Sequence, residues 1–121
     1  PFSYSRMGSL LEIKSVRTVI DYCDYLEESY LFDLIPMYSP SIRKQLANPK
    51  KAYSVDPALA SANSLSFSKD LGRKLENYVY LHLRRSFKEI QYFQSKDSEC
   101  DFVIKWNEEI IGALQVCWDL N

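Results

Sequence analysis

The sequence is poor in the residues on which several common kinds of site depend. Its 121 residues include three glycines, three cysteines and one histidine. The cysteines, Cys23, Cys100 and Cys117, are widely spaced and form no C-x-x-C pair, which argues against a zinc site and against a disulfide framework. No G-x-x-x-x-G-K-[ST] loop for nucleotide phosphates occurs either. We therefore expect reduced thiols, as in a cytoplasmic protein, and no nucleotide site within these residues.

Charge and hydrophobicity argue against two further classes. The chain has 15 basic and 16 acidic residues, so no overall positive field attracts it to nucleic acid or to an anionic membrane. Apolar stretches such as residues 110–116 are far shorter than the roughly 18 residues that a membrane span requires. Because 46% of the residues are hydrophobic, the chain can still build a core. The composition predicts a globular, cytoplasmic protein with no membrane partner.

The first half of the sequence predicts a helix followed by two strands. Ser15 is a suitable N-cap, and apolar side chains recur after it at helical spacing over about four turns. These side chains are Val16, Val19, Ile20, Cys23, Leu26 and Tyr30. Residues 30–38 and 51–56 have the alternation and the β-forming residues of strands, and Pro36 is typical of an edge strand. A helix followed by two strands resembles the end of a winged-helix domain.

The outward face of this helix is predominantly acidic. Asp21, Asp24, Glu27 and Glu28 are accompanied there by one base, Arg17. A helix that reads DNA must approach phosphates, which repel uncompensated acids. The pattern therefore disfavours DNA as a ligand of this helix and favours docking to a protein partner.

The second half predicts one long helix and three strands. The helix comprises residues 71–87, and the strands comprise residues 89–94, 101–106 and 109–118. Asn107 and Glu108 join the last two strands in a tight hairpin. The order of these elements is αβββ.

A connector separates the two halves. Residues 58–70 are rich in Ala, Ser and Asn, so we predict a segment of residues 1–57, this connector, and a segment of residues 71–121. The predicted fold class is α+β. Because the chain begins with Pro1 and ends soon after its last predicted strand, we expect it to be part of a longer polypeptide.

One stripe of the long helix is predicted to face the core. On a helical wheel this stripe comprises Leu75, Val79, His82, Leu83 and Ser86. His82 is accordingly interpreted as a hydrogen-bonded core histidine and not as a base or a metal ligand. Glu76 lies on the shoulder of the stripe, where it can contribute to a site.

Oxygen-bearing side chains recur at positions that suit a hard cation. Glu76 on the helix, Asp101 at the start of the second strand and Gln115 on the third offer the oxygen ligands that Mg²⁺ prefers. Successive side chains of a strand alternate between faces, so Glu99 shares a face with Asp101, and Gln115 shares one with Cys117. The sequence therefore suggests a Mg²⁺ site formed by Glu76, Asp101 and Gln115.

Each of these residues also has a structural interpretation. Glu76 can be a solvated helix residue, Asp101 can flank a turn, and Gln115 can bond a neighbouring strand. Cys117 stands where a metal-dependent nuclease carries a lysine, and a thiol supplies no positive charge. The catalytic and metal-binding set of Glu76, Asp101 and Gln115 is therefore interpreted as vestigial or weak.

Four blocks of sequence, in order, carry a resemblance to a known family: "NPKKAYSVDPALA", "GRKLENYVYLHLRR", "ECDFVI" and "ALQVCWDL". They resemble the domain of unknown function that lies C-terminal to the ATPase core of prokaryotic AAA-superfamily, STAND-like ATPases. The resemblance implies a winged-helix-like remnant followed by a truncated PD-(D/E)xK nuclease-like αβββ core, which a further helix and strand would complete. It also implies an ATP-binding domain in cis, upstream of Pro1.

These observations lead to one leading functional hypothesis and two alternatives. The leading hypothesis is a regulatory or interaction domain of such an ATPase, with protein partners, no cofactor of its own and a nuclease-like core that lacks its catalytic lysine. The first alternative is a Mg²⁺-dependent DNA endonuclease domain of the same ATPase, which uses Glu76, Asp101 and Gln115. The second is a fragment that forms homo-oligomers through an open sheet edge. The leading hypothesis requires that no lysine or arginine reaches the two acids from elsewhere in the chain.

Overall fold

A computed structural model of the chain describes residues 1–56, 58 and 70–119. The described helices are α1 Tyr4–Leu10, α2 Val16–Glu28, α3 Ile42–Ala47 and α4 Asp70–Leu83. The described strands are β1 Phe32–Pro36, β2 Lys50–Ser54, β3 Glu89–Gln94, β4 Glu99–Trp106 and β5 Glu109–Leu114. The fold is α+β, as the sequence predicts. The predicted connector lies outside the described residues, apart from positions 58 and 70.

The strands form two small antiparallel sheets. One pairs β1 with β2, with Leu34 opposite Ala52, and the other has the order β3-β4-β5. A parallel bridge between Met37 and Tyr92 joins the sheets, and the N–H of Tyr38 donates to the carbonyl of Tyr92 at 2.6 Å. β1 and β2 thus lie beside β3 in the fold, although α4 and the connector separate them from it in sequence.

Local sequence explains where several of these elements begin and turn. Ser15 Oγ accepts a hydrogen bond from the N–H of Thr18 at 3.4 Å, which confirms it as the N-cap of α2. Asn107 and Glu108 have φ values of 49° and 66°, the left-handed conformations that a two-residue hairpin requires. The predicted tight turn between β4 and β5 is therefore confirmed.

The core lies between α4 and the two sheets. Its buried side chains are Ile35, Tyr53, Tyr80, Ile90, Tyr92 and Phe102. The rings of Tyr53 and Tyr80 stack with their centroids 4.5 Å apart, and Phe102, which is 0% exposed, packs against both. Because Tyr53 comes from β2, Tyr80 from α4 and Phe102 from β4, this aromatic cluster holds both sheets against the helix.

Several details differ from the sequence predictions. The short helices α1 and α3 were not predicted, and β5 ends at Leu114, before Gln115 and Cys117. His82 is exposed, whereas Tyr80, two residues earlier, is 5% exposed. Val79 and Leu83 of the predicted stripe pack against the core, whereas the stripe wrongly included His82 and left out Tyr80. Among the described residues, no helix is long and apolar enough to cross a membrane.

Candidate functional site

A lysine that the sequence analysis did not single out joins the two predicted acids. Lys51 Nζ lies 3.2 Å from Glu76 Oε1 and 3.2 Å from Asp101 Oδ1. Lys51 comes from β2, Glu76 from α4 and Asp101 from β4. Three separate elements thus bring two carboxylates to one ammonium group, and the cation missing at Cys117 is present in this cluster.

Strand alternation explains why β2 contributes two side chains to the cluster. Lys51 and Tyr53 are two residues apart and therefore point to the same face of β2. The phenol of Tyr53 donates a hydrogen bond to Glu76 Oε1 at 2.5 Å. Its own buried ring is fixed in the aromatic cluster. Both donors on this face of β2 consequently converge on the same carboxylate.

Asp101 is held by the backbone as well as by Lys51. Its Oδ2 accepts a hydrogen bond from the N–H of Val116 at 2.9 Å, and its own N–H donates to Gln115 Oε1 at 3.2 Å. Asp101 is 8% exposed, so its charge depends on these partners for compensation. The segment that follows β5 thereby places Gln115 next to Asp101. These are two of the three residues that the sequence suggests as metal ligands.

Two carboxylates share one cation in this cluster. Glu76 and Asp101 both contact the ammonium group of Lys51. The side chains of Lys51, Glu76 and Asp101 are 20%, 22% and 11% exposed, so solvent reaches the cluster without screening it fully. Lys51 Nζ also lies 5.2 Å from the ring centroid of Tyr92, whose π face attracts a cation. The two acids and this ring thus share the charge of Lys51.

Tyr53 remains a hydrogen-bond donor in this environment. Burial raises the pKa of the Tyr53 phenol, and its hydrogen bond to Glu76 and the negative charge of that carboxylate raise the pKa further. A phenol whose pKa rises above its usual value of 10.0 keeps its proton at neutral pH. Tyr53 therefore donates to Glu76 under ordinary solution conditions.

The donor atoms of the cluster fit a hard divalent cation. No group of three or more His, Cys, Asp and Glu residues in the described part of the chain could hold a metal ion. Mg²⁺ does not need such a group, because one or two carboxylates, water and substrate oxygens commonly complete its coordination. Glu76 and Asp101 already face one positive charge together, and Gln115 adds an amide oxygen beside Asp101. The predicted set of Glu76, Asp101 and Gln115 therefore suits Mg²⁺.

Other residues considered from the sequence lie apart from the cluster. Cys117 is exposed, and its thiol donates to the carbonyl of Asp119. Glu99 is exposed at the start of β4. Lys105 pairs in register with Glu89 at the other end of β4. The substitute cation is Lys51, and the signal for it was the alternation of β2.

Comparison with known proteins connects the chain with a family. The family described as Domain of unknown function (DUF8612) matches residues 1–89. The chain belongs to this family. The matched part of this DUF8612 member includes Lys51, Tyr53 and Glu76, whereas Asp101 and Gln115 follow it.

A curated relative and the solved structures complete the comparison. The uncharacterized protein MJ1544 of Methanocaldococcus jannaschii is 38% identical over 108 residues, which cover 85% of this chain and 23% of the relative. The DUF8612 chain thus spans less than a quarter of the length of that relative. No solved structure matches the chain.

A second polar cluster involves the other tyrosine of the stack. Arg84 Nε contacts Asp33 Oδ2 at 3.0 Å, and the phenol of Tyr80 donates to the same oxygen at 2.7 Å. Burial raises the pKa of the Tyr80 phenol, and the hydrogen bond to Asp33 and its charge raise the pKa further. These residues border a cavity of about 470 Å³, which Glu27 and Lys88 also line. Asp33 and Arg84 form a one-to-one ion pair here.

Proposed function

We propose that this chain carries a Mg²⁺-dependent phosphodiesterase site that cleaves DNA, as part of a larger prokaryotic ATPase. The single observation that supports this function is the contact of Lys51 Nζ with both Glu76 and Asp101. The alternative of an inactive nuclease-like core depended on the absence of a cation beside these acids. Because Lys51 supplies such a cation, the chemical argument for inactivity no longer applies.

The residues of the cluster have separate tasks in this proposal. Hydrolysis of a phosphodiester builds negative charge on the phosphoryl oxygens, and the ammonium of Lys51 stabilises that charge. Glu76 and Asp101 would bind the metal, with the Gln115 amide as a further oxygen ligand. When bound, Mg²⁺ supplies Lewis acidity and lowers the pKa of a coordinated water. The N–H of Val116 and the phenol of Tyr53 keep the two carboxylates in place.

A metal and Lys51 could both act at this site. With a metal at the carboxylates, the flexible four-carbon stem of Lys51 would let its ammonium reach the substrate phosphate, which would supply the negative charge that retains it. Glu76 and Asp101 would then be compensated by the metal in place of Lys51.

The ATPase parent rests on sequence resemblance. The four sequence blocks resemble a domain that follows a P-loop ATPase core. The relative MJ1544, of which this chain covers 23%, shows that a related sequence occurs within a longer polypeptide. In this proposal ATP binds to an upstream domain, and nucleotide hydrolysis regulates access of DNA to the site.

Plasmid cleavage by the full-length protein tests the proposal. The wild-type protein is expected to nick supercoiled plasmid in Mg²⁺ or Mn²⁺ and to lose this activity in EDTA. Lys51→Met and Asp101→Asn should each reduce the rate by about 100-fold or more, since each removes a group that stabilises the transition state or holds the metal. The matched controls are Lys105→Met and Asp97→Asn, which remove the same charges outside the cluster.

The controls identify which lysine acts. Equal loss in Lys51→Met and Lys105→Met would contradict the role of Lys51, and wild-type cleavage by Asp101→Asn would exclude this site as the source of activity. Absence of metal-dependent cleavage from the wild-type protein, with plasmid and with linear DNA, would overturn the proposed function.

A second candidate function is a docking domain that regulates the ATPase. The exposed side of α2 favours it, because Tyr22 and Tyr25 are 58% and 71% exposed beside the acids Asp21 and Asp24. Exposed aromatic residues of this kind are enriched where proteins bind one another. If this function holds, Tyr22→Ser with Tyr25→Ser should change the ATP hydrolysis rate of the full-length protein, whereas Lys51→Met should not. An unchanged rate in the tyrosine variant would count against docking through α2.

A further inference from the structure

We propose, on the basis of the proposed function, that Tyr53 is a positioning residue which orients the Glu76 carboxylate so that its second oxygen, Oε2, binds the metal. The hydrogen bonds that Glu76 makes through its side chain to described residues both fall on Oε1, one from Tyr53 and one from Lys51. Oε1 is thereby turned toward β2. Oε2 is the oxygen left for a further cation.

The two donors on Oε1 respond differently when a metal binds. Lys51 is a cation, so it competes with a metal for the charge of Glu76 and is repelled by it. Tyr53 is a neutral donor, so its hydrogen bond persists whichever cation neutralises the carboxylate. Tyr53 is therefore the partner that can hold the orientation of Glu76 both before and after the metal binds.

The ring of Tyr53 is fixed well enough to act in this way. Tyr53 is 5% exposed, and its ring lies at 17° to that of Tyr80 with the centroids 4.5 Å apart. The ring of Phe102 packs against it with a centroid distance of 5.5 Å. In a closely packed core such a ring cannot change rotamer without opening a cavity. The position of the phenol oxygen is consequently set by the core and passed to Glu76 through one hydrogen bond.

Tyr80 provides a matched control for Tyr53. It belongs to the same ring stack, and it is equally buried at 5% exposed. Its phenol also donates to a carboxylate, but the acceptor is Asp33 and not Glu76. Removal of either hydroxyl group therefore takes one oxygen atom from the same stack, and only one of the two removals affects Glu76.

The experiment compares Tyr53→Phe with Tyr80→Phe in the full-length protein without nucleotide. Mn²⁺ binding is measured by electron paramagnetic resonance, and plasmid cleavage is measured over a range of DNA concentrations. Loss of a residue that orients a metal ligand typically weakens metal affinity by about 10- to 100-fold. We expect this loss, and a fall in kcat with little change in KM for DNA, in Tyr53→Phe. Tyr80→Phe should retain affinity and kcat within about twofold.

A double variant separates positioning from general damage to the fold. Because Tyr53 acts through Glu76, adding Tyr53→Phe to Glu76→Gln should weaken Mn²⁺ binding no further than Glu76→Gln alone. An additive loss would overturn the proposal, as would wild-type affinity in Tyr53→Phe or an equal loss in Tyr80→Phe.

The outcomes distinguish this proposal from the function on which it rests. Tyr53-dependent Mn²⁺ binding without DNA cleavage supports the positioning role and overturns the phosphodiesterase function. DNA cleavage that is insensitive to Tyr53→Phe supports the function and overturns the positioning role. Absence of Mn²⁺ binding to the wild-type protein overturns both.

Discussion

Two polar clusters adjoin the same pair of stacked tyrosines, and their cations differ in the number of carboxylates that they contact. In the first cluster, Tyr53 donates to Glu76, and Lys51 contacts both Glu76 and Asp101. In the second cluster, Tyr80 donates to Asp33, which contacts Arg84. Lys51 thus contacts two carboxylates, whereas Arg84 contacts one. A one-to-one ion pair stabilises the fold, while two acids that share one cation can also bind a ligand.

The choice of cation supports this distinction. The planar guanidinium of Arg84 forms directional hydrogen bonds and keeps its charge under all ordinary conditions. The ammonium of Lys51 is a compact charge on a flexible stem, which can leave one partner for another. We therefore interpret the Asp33–Arg84 pair as structural and the Lys51 cluster as the functional one. The predictions below test this difference, in order of decreasing effect.

Loss of Phe102 should disrupt both clusters at once. Phe102 is 0% exposed and packs against both tyrosine rings, so Phe102→Ala leaves a cavity beneath them. We expect the free energy of unfolding to fall by about 3–5 kcal/mol, as for other buried aromatic residues replaced by alanine. Denaturation in urea measures this change. Trp106→Ala, at a residue that is 55% exposed, is the control and should cost less than about 1 kcal/mol. A small effect at Phe102 would show that the two clusters do not share a core.

Variants that lack Lys51 or Arg84 should differ in whether Mg²⁺ restores their stability. Lys51→Met leaves Glu76 and Asp101 without a counter-charge, and we expect a loss of about 1–3 kcal/mol, since these groups are partly exposed. Arg84→Met should cost a similar amount. A metal at 100 times its Kd restores about 2.7 kcal/mol to a folded state that binds it. In thermal unfolding with and without Mg²⁺, Lys51→Met should regain stability when Mg²⁺ is added, and Arg84→Met should not. An equal gain of stability in both variants would contradict the difference between the two clusters.

The smallest effect concerns Glu27, which lines the cavity beside the second cluster. Burial raises the pKa of Glu27, and the carboxylates of Asp33 and Asp24 raise it further. Because the folded chain holds this proton more tightly than the unfolded chain, stability falls as pH rises from the usual pKa of 4.5 through the raised value. Glu27→Gln should flatten this dependence and add less than about 1 kcal/mol at pH 7, since solvent screens the group.

Glu28→Gln is the control for Glu27→Gln. Glu28 is the exposed last residue of α2, next to Glu27 in the sequence. Urea denaturation at several pH values between 4 and 8 compares the two variants. If both variants flatten the dependence equally, the effect belongs to the helix end and not to the second cluster.

Elements that a short stretch of sequence determines are predicted correctly. β3 was predicted at residues 89–94 and is observed at Glu89–Gln94. Its β-forming residues and the turns on either side indicate a strand without help from the rest of the chain. α1 and α3, with seven and six residues, are too short for helical periodicity to identify, and they depend on capping and packing. α4 is a third case, because the wheel identified Val79 and Leu83, which pack against the core, but missed Tyr80, whose ring stacks on that of Tyr53.

The site was predictable in part for the same reason. The types of Glu76, Asp101 and Gln115 and their positions on successive elements indicated a cation site. Lys51 is separated by 25 residues from Glu76 and by 50 from Asp101, so only the tertiary fold brings it to them. Alternation along β2 placed Lys51 and Tyr53 on one face, but nothing in the sequence alone said which elements that face would meet. A cation beside the acids was sought at Cys117, after the last strand, whereas the cation that contacts them, Lys51, comes from the neighbouring sheet.

Because Lys51 comes from a different sheet than Asp101, the cluster can form only late in folding. Lys51 belongs to the two-stranded sheet and Asp101 to the three-stranded sheet, and a backbone bridge at Met37 and Tyr92 joins the two. Each sheet could form early and independently during folding, yet neither contains the whole cluster, since Glu76 comes from α4. An expanded intermediate with α4 and both sheets formed would contain every required side chain without bringing them together, so under the proposed function it would not bind a metal. Metal capture would therefore report the final docking of one sheet onto the other.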